Sequence, residues 1–340
     1  MKVVNVTRPG GPEALETGAA PDPTPGPREV IIAVEAAGVN RADLLQRAGH
    51  YPPPPGAPPW PGLEAAGTIT ALGTEVGAAA RGPADDAVAG WAVGDRVCAL
   101  LPGGGYAERV AVDASLVLPM PAGTDAVGAA GLVEAACTVV SNLDAAGAHP
   151  GETLLVHGGS GGVGSLAIQY ATALGMRVLA TAGGPERAAR CVELGAEAGL
   201  DHRGDWAARV KERGGADVIL DVAGAANLDA NLRSLRTGGR LVVIGLQRGT
   251  RGEIDLGRLL SRRLTLLGTT LRSRPLAERA AIVAAVRERV WPLVPGRVSP
   301  VIHATVPLER AADAHRLLDS GEVFGKVVLT VGAPDGADAS

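Results

Sequence analysis

The run Gly158-Gly-Ser-Gly-Gly-Val-Gly164 carries the most specific chemistry in this sequence, because it joins the apolar stretch Thr153-Leu-Leu-Val-His157 to an apolar helical stretch from Gly164 to Leu174. Gly159, Gly161 and Gly164 thereby satisfy the GxGxxG spacing in a strand, turn and helix context. A turn of this kind aims backbone N–H groups and a helix N-terminus at a pyrophosphate. Gly159 would allow the tight turn, Gly161 the close approach of backbone to phosphate, and Gly164 the packing of helix on strand, with Ser160, Gly162 and Val163 completing the loop. A merely flexible loop in a glycine-rich chain is the alternative, and the flanking strand and helix argue against it. The ligand class this implies is a dinucleotide.

Which dinucleotide is legible at the end of the second strand, where NAD enzymes carry an acidic residue for the ribose 2′-hydroxyl. Here the chain reads Thr181-Ala-Gly-Gly184, with no carboxylate before Glu186, while Arg187 follows and His202-Arg203 closes the next strand region. A 2′-phosphate would be repelled by a carboxylate and would pair with Arg. NADPH is therefore the expected coenzyme, with Gly183, Arg187 and His202 as candidate contacts. Arg187 as an ordinary solvated helix residue is the competing reading.

The elements around this turn alternate. From about Thr124, apolar runs at Thr153–His157, Arg177–Thr181, Asp217–Asp221, Arg240–Gly245 and Leu264–Gly268 are separated by helical stretches at Gly164–Leu174, Glu186–Leu194 and Asn227–Leu235. Continuous β-branched and aliphatic runs are what strands covered on both faces require, so the spacing predicts an α/β fold with a doubly wound parallel sheet. The first part differs, with short β-rich runs at Val30–Val34, Ala66–Leu72, Val97–Leu101 and Ala107–Val112 broken by Gly and Pro. That pattern predicts a barrel-like β domain. Tyr51 to Pro61 is too rich in proline to be a central strand, and Gly77 to Gly90 reads as a flexible surface insertion. The tail adds a helix near Ala277–Arg289 and a closing strand, Lys326–Thr330.

Length and composition fit two domains and exclude several classes. A chain of 340 residues exceeds the ~250 to 300 at which single cores stop growing, and 46% hydrophobic with 20% charged residues argues against extended disorder. A net charge of -4 leaves no footprint for nucleic acid or for a membrane surface. No apolar run approaches the ~20 residues of a membrane span, and the N-terminus lacks a signal-like apolar region. Cys98, Cys137 and Cys191 are odd in number and widely spaced, which fits a reducing compartment, and the expected location is cytoplasmic.

Taken in order, Val39-Asn-Arg-Ala-Asp-Leu44, Gly62-Leu-Glu64, Val93-Gly-Asp-Arg-Val97, Leu101-Pro-Gly-Gly-Gly105, Gly158–Gly164, Leu271-Arg-Ser-Arg274 and Gly325-Lys326 resemble the zeta-crystallin-like quinone oxidoreductases of the medium-chain dehydrogenase/reductase superfamily, closest to the tumour-suppressor-inducible subgroup. The resemblance covers essentially the whole chain. It implies a GroES-like β-barrel catalytic domain (1–119 and 269–340) into which a Rossmann NADPH-binding domain (120–268) is inserted, a homodimer, and reduction of a quinone or other conjugated carbonyl acceptor in the interdomain cleft. It also implies that Asn40 and Tyr51 line the nicotinamide and acceptor region, and that Thr138, Gly245, Leu246, Phe324 and Lys326 contact the coenzyme. Lys326 draws notice for a further reason, since the chain keeps only three lysines, Lys2, Lys211 and Lys326. A retained lysine suggests a need for a compact ammonium. No catalytic acid or base is identified.

The zinc alcohol dehydrogenases of that superfamily carry Cys and His where this chain has Asn40 and Leu63, and of the third-ligand region only Glu134 remains. The expected enzyme is zinc-independent, because a catalytic zinc site takes three protein ligands. The chain departs from the subgroup in the 77–90 insertion and in Gly184, where the family carries Ser. An enoyl-thioester or enone reductase is the alternative within enzymes, and a non-enzymatic NADPH-binding structural or RNA-binding protein the alternative outside them.

Overall fold

The computed structural model describes residues 1–77 and 90–332, so most of the insertion read at Gly77 to Gly90 lies outside the described residues. The strands in chain order are Lys2–Val6 (β1), Leu15–Ala19 (β2), Glu29–Val39 (β3), Glu64–Leu72 (β4), Arg96–Leu100 (β5), Arg109–Asp113 (β6), Val117–Pro119 (β7), Thr153–His157 (β8), Arg177–Ala182 (β9), Ala198–Asp201 (β10), Ala216–Asp221 (β11), Leu235–Val243 (β12), Thr265–Gly268 (β13), Ile302–Pro307 (β14) and Lys326–Thr330 (β15). They fall into two compact units, one of Met1–Glu134, Arg272–Trp291 and Pro300–Ser340, the other of Ala135–Leu271 and Pro292–Ser299.

The second unit holds a six-stranded sheet in the order β10-β9-β8-β11-β12-β13, all parallel. This is the doubly wound arrangement whose order reverses beside its first strand, the point at which such sheets bind dinucleotides. Strand β8 is buried along its whole length, as expected for a central strand with helices on both faces. Leu155, Leu179, Ile219, Leu232 and Leu241 form one continuous core with Trp206 and Val210. Each such side chain contributes roughly 1.5–3 kcal/mol on burial. The short β10 is the strand region closed by His202-Arg203, and the helix Trp206–Glu212 was not legible in the sequence: it buries only Trp206 and Val210, too few to set a periodicity. Strand β12 starts at Leu235 rather than Arg240, because an irregularity in its pairing with β11 lets Leu235 sit against Ala216.

The first unit is built on the 11-residue β3, which pairs with β4, β6 and β15 within a seven-stranded sheet, while β1 and β2 form a separate hairpin. Its register with β4 shifts at Ile31/Ile32 and Val34/Ala36, and such bulges bend and twist a strand enough to curl the sheet. This is the GroES-like barrel, joined to a Rossmann unit in an α/β chain. The sequence did not announce β1, β2, β14 or the helix Ala311–Asp319.

The unit boundaries differ from 119/120 and 268/269. Residues 120–134 group with the barrel, where the helix Ala126–Ala130 packs on β3 and β4. Residues 292–299 group with the Rossmann unit, because Gln169 exchanges two hydrogen bonds with the Ser299 backbone (2.9 and 3.1 Å) and Arg297 Nη2 donates to Ala173 O at 2.6 Å. The stretch Ala126–Ala145 also corrects the expectation that no run is long and apolar enough to span a membrane: by length and composition it qualifies, but 89% of its window is buried within the protein.

Candidate active site

The glycine turn follows β8 directly. Gly158 has φ of +70°, a left-handed conformation that glycine adopts without a Cβ penalty. A Cβ on Gly159 would lie 2.9 Å from both Ala180 Cβ and Cys191 Sγ, and one on Gly164 only 2.1 Å from Gly158 O. Both positions are closed by the protein itself. At Gly161 the nearest atom would be Gly158 O at 3.4 Å, so this position is open to a ligand. Gly161 is the N-cap of the helix Gly162–Ala173, whose first-turn amides at Gly162, Val163 and Gly164 have no partner further back in the helix. Ser160 lies half-buried at the tip of the turn.

At the end of β9, a Cβ on Gly183 would lie 3.3 Å from His202 Cε1, 3.7 Å from Arg187 Nη1 and 3.9 Å from Arg203 Nη2. Arg187, on the helix Pro185–Glu193, thus meets His202 and Arg203 from beyond β10 at one spot. The sequence pointed to Arg187 and His202 as contacts and noted Arg203 only as the neighbour of His202 in the run closing the next strand. It also missed Asp201, whose Oδ1 accepts from the backbone N–H of Gly184 and of Arg203, both at 3.1 Å. Those bonds hold its carboxyl below the usual range.

Gly245 and Leu246 follow β12. The N–H of Ile244 donates to Asp221 O at 2.8 Å, and a Cβ on Gly245 would fall 2.8 Å from Val222 O, so the two strand ends approach as only glycine permits. Leu246 is 53% exposed. Thr138 lies half-buried on the helix Val133–Ala145, and its carbonyl accepts from Asn142 Nδ2 at 2.7 Å.

In the barrel unit, Asn40, Glu64 and Lys326 form one buried cluster. Lys326 Nζ donates to Glu64 Oε1 (2.5 Å) and to Asn40 Oδ1 (2.6 Å), Asn40 Nδ2 donates to Glu64 Oε1 (2.9 Å), and the backbone N–H of Glu134 donates to Glu64 Oε2 (2.8 Å). Lysine has donors only, so it fixes which end of the Asn40 amide faces it. Asn40 therefore spends both ends of its amide within its own unit. Phe324 is buried next to Gly325 and Lys326.

Asn40 also caps the helix Arg41–Arg47, its backbone N–H donating to Asp43 Oδ2 at 2.8 Å, while Asp43 Oδ1 accepts from Gly62 N at 2.9 Å. Burial pushes the Asp43 carboxyl up to about 6 against the pull of those amides, Lys326 and Arg272. Tyr106 bonds Asp43 and lies 3.0 Å from His315 Nε2, with Arg47 Nη1 3.3 Å from His315 Nδ1. Arginine can only donate, so His315 Nδ1 accepts and its Nε2–H faces the Tyr106 oxygen. Burial and Arg47 push His315 down to about 3, which keeps it neutral.

Tyr51 is partly exposed at the start of the proline-rich loop, with the Arg272 guanidinium 5.3 Å from its ring centre. Burial raises its phenol pKa and Glu134 adds to the rise.

The donor set suits a catalytic zinc poorly. Asn40 is a neutral amide, Leu63 is a buried aliphatic side chain, and Glu64 is already paired with an ammonium. Among the described residues no group of three or more His, Cys, Asp or Glu could hold a metal ion.

Two family models match the chain: Alcohol dehydrogenase GroES-like domain over residues 26–122 and Zinc-binding dehydrogenase over 162–287. The quinone oxidoreductase of Rattus norvegicus is 33% identical over 342 residues, covering 97% of each chain. A mycocerosic acid synthase-like polyketide synthase of Mycobacterium tuberculosis is 33% identical over 338 residues, covering 96% of this chain but 15% of that protein. The quinone oxidoreductase of Thermus thermophilus, whose structures include a complex with NADPH, superposes with a TM-score of 0.82 at 35% identity, covering 97% of this chain and 100% of that one. The chain belongs to the quinone oxidoreductase family of the medium-chain dehydrogenase/reductase superfamily.

Proposed function

We propose that this protein is a zinc-independent NADPH:quinone oxidoreductase. The observation that carries the coenzyme is the meeting of Arg187, His202 and Arg203 around Gly183, a cationic spot suited to a 2′-phosphate. The first-turn amides at Gly162, Val163 and Gly164 would hold the pyrophosphate, and the open approach at Gly161 admits it. NADPH supplies a hydride from its nicotinamide C4 to an electrophilic acceptor. A quinone accepts hydride without a Lewis acid, which agrees with a donor set in which Lys326 neutralises Glu64 and Leu63 offers no ligand. Tyr51 offers a partly exposed ring for a planar acceptor, and the quinone can take its protons from water.

A conjugated enone or enoyl thioester is the second acceptor class, favoured by the segment 33% identical to this chain inside a polyketide synthase. Three buried cysteines without disulfides agree with a cytoplasmic enzyme. The open edge at β13, with Leu266 exposed on it, agrees with pairing to a second copy as a homodimer. Light scattering during gel filtration tests the dimer. NADPH consumption measured over a panel of quinones and enones, before and after phenanthroline treatment with elemental analysis, tests the activity. Turnover with quinones that survives chelation is expected, and stoichiometric zinc or turnover with enones alone overturns the reading.

A further inference from the structure

The acceptor loop Tyr51-Pro-Pro-Pro-Pro-Gly-Ala-Pro-Pro-Trp-Pro61 has backbone N–H groups only at Tyr51, Gly56, Ala57 and Trp60. A segment so poor in donors is held mainly through its carbonyls and side chains: Arg272 donates at its start and orients the Gln46 amide that donates near its end, where the backbone N–H groups of Gly104 and Tyr106 also donate to Trp60 O and Pro61 O. Nη1 donates to Tyr51 O at 3.3 Å. Nη2 donates to Gln46 Oε1 at 2.8 Å, and Gln46 Nε2 donates to Pro59 O at 2.9 Å. Because a guanidinium carries no acceptor, Gln46 must turn its oxygen to Arg272, which leaves its NH2 aimed at Pro59. Nε completes the set by donating to Pro102 O at 2.6 Å, in the turn where Gly103 leaves room for the guanidinium. The same guanidinium lies 5.3 Å from the centre of the Tyr51 ring and is itself 7% exposed.

From this geometry we infer that Arg272 is the positioning residue of the acceptor site: it fixes both the course of the 51–61 loop and the plane of the Tyr51 ring, and so governs acceptor binding rather than coenzyme binding. The inference rests on the acceptor role proposed for Tyr51. A planar fork satisfies three separated acceptors while stacking on a ring, and an ammonium on a flexible stem does not. Arg272→Lys keeps the charge and removes the fork, so the loop loosens and the Tyr51 ring is no longer held.

The test uses Arg272→Lys, with Arg272→Gln as a second variant, in the full chain, with menadione as acceptor. Arg272→Lys is expected to raise the menadione KM by about fivefold or more while the NADPH dissociation constant stays within about twofold. Added to Tyr51→Ala it should raise the KM little further, since the ring that Arg272 orients is then already gone. Hydrogen exchange should accelerate in the 51–61 peptide of both Arg272 variants and not in the glycine turn at 158–164. Unchanged KM and exchange in Arg272→Lys, or a fully additive double variant, overturns the inference. A wild type that reduces no quinone refutes the acceptor reading by itself, and the exchange rates over 51–61 then decide the positioning role.

Discussion

Lys326 Nζ lies 2.5 Å from Glu64 Oε1, an ion pair with side-chain exposures of 5% and 0% that joins the last strand of the barrel to β4. Removing one partner of such a pair leaves an uncompensated buried charge, which costs about 3–5 kcal/mol, whereas removing both is often close to neutral. Lys326→Met should therefore lower the unfolding midpoint in urea sharply. Glu64→Gln combined with Lys326→Met should recover most of the loss, because the glutamine oxygen still accepts from Asn40 or Glu134. A Lys326→Met protein as stable as wild type contradicts the account.

The glycines of the turn separate into two kinds. A Cβ at Gly164 would sit 2.1 Å from Gly158 O, so Gly164→Ala must push helix from strand and should cost about 1–3 kcal/mol of stability. At Gly161 the nearest atom is 3.4 Å away, and φ of -82° with ψ of 172° suits alanine. Gly161→Ala should keep a melting temperature close to wild type and lose NADPH affinity by about tenfold, or ~1.4 kcal/mol. Calorimetry on both variants checks the contrast, and equal NADPH affinity in Gly161→Ala would show that the open side of the turn faces no ligand.

Asp43 gives the barrel a pH dependence of unusual sign. Its carboxyl is raised by burial from 3.8 to about 6, so between those values the folded state holds more protons than the unfolded chain. Stability from this group is full below pH ~4, falls as pH rises towards ~6, and stays lost above, a change of about 3 kcal/mol. In Asp43→Asn the titration disappears. Subtracting the urea-unfolding profile of the variant from that of the wild type should leave a curve that declines from pH 4 to 6.5, and a flat difference would mean that the amides of Asn40 and Gly62, with Lys326 and Arg272, fully offset burial.

The glycine turn between β8 and its helix was legible because its signal is local: the strand, the glycines and the helix are contiguous, so spacing alone assembled them. The barrel cluster was not. Glu64 and Lys326 are 262 residues apart, and only the antiparallel pairing of β15 with β3 and of β3 with β4 brings them together. The sequence flagged Lys326 as a retained lysine and expected it at the coenzyme, but could not show that its ammonium and both ends of the Asn40 amide are engaged with Glu64. Arg272 is similar, since a motif marks its position while its acceptors, at Gln46, Tyr51 and Pro102, lie on segments far away in the chain. Arg203 was noted only as part of the run closing the next strand, because that run had to be folded beside Gly183 before its side chain counted as a contact.

Arg203 and Arg187 set the last prediction. A Cβ on Gly183 would lie 3.7 Å from Arg187 Nη1 and 3.9 Å from Arg203 Nη2, close enough for one phosphate to meet both guanidinium groups. The 2′-phosphate is the only group that distinguishes NADPH from NADH, so loss of either arginine should weaken NADPH and leave NADH unchanged. Arg187→Ala and Arg203→Ala should each lower the NADPH over NADH affinity ratio by about tenfold, ~1.4 kcal/mol, and the double variant by less than the product if both hold the same oxygens. Titration of both coenzymes at two salt concentrations decides it. The wild-type preference should shrink at high salt, and a preference for NADPH that survives in the double variant would move the 2′-phosphate away from Gly183.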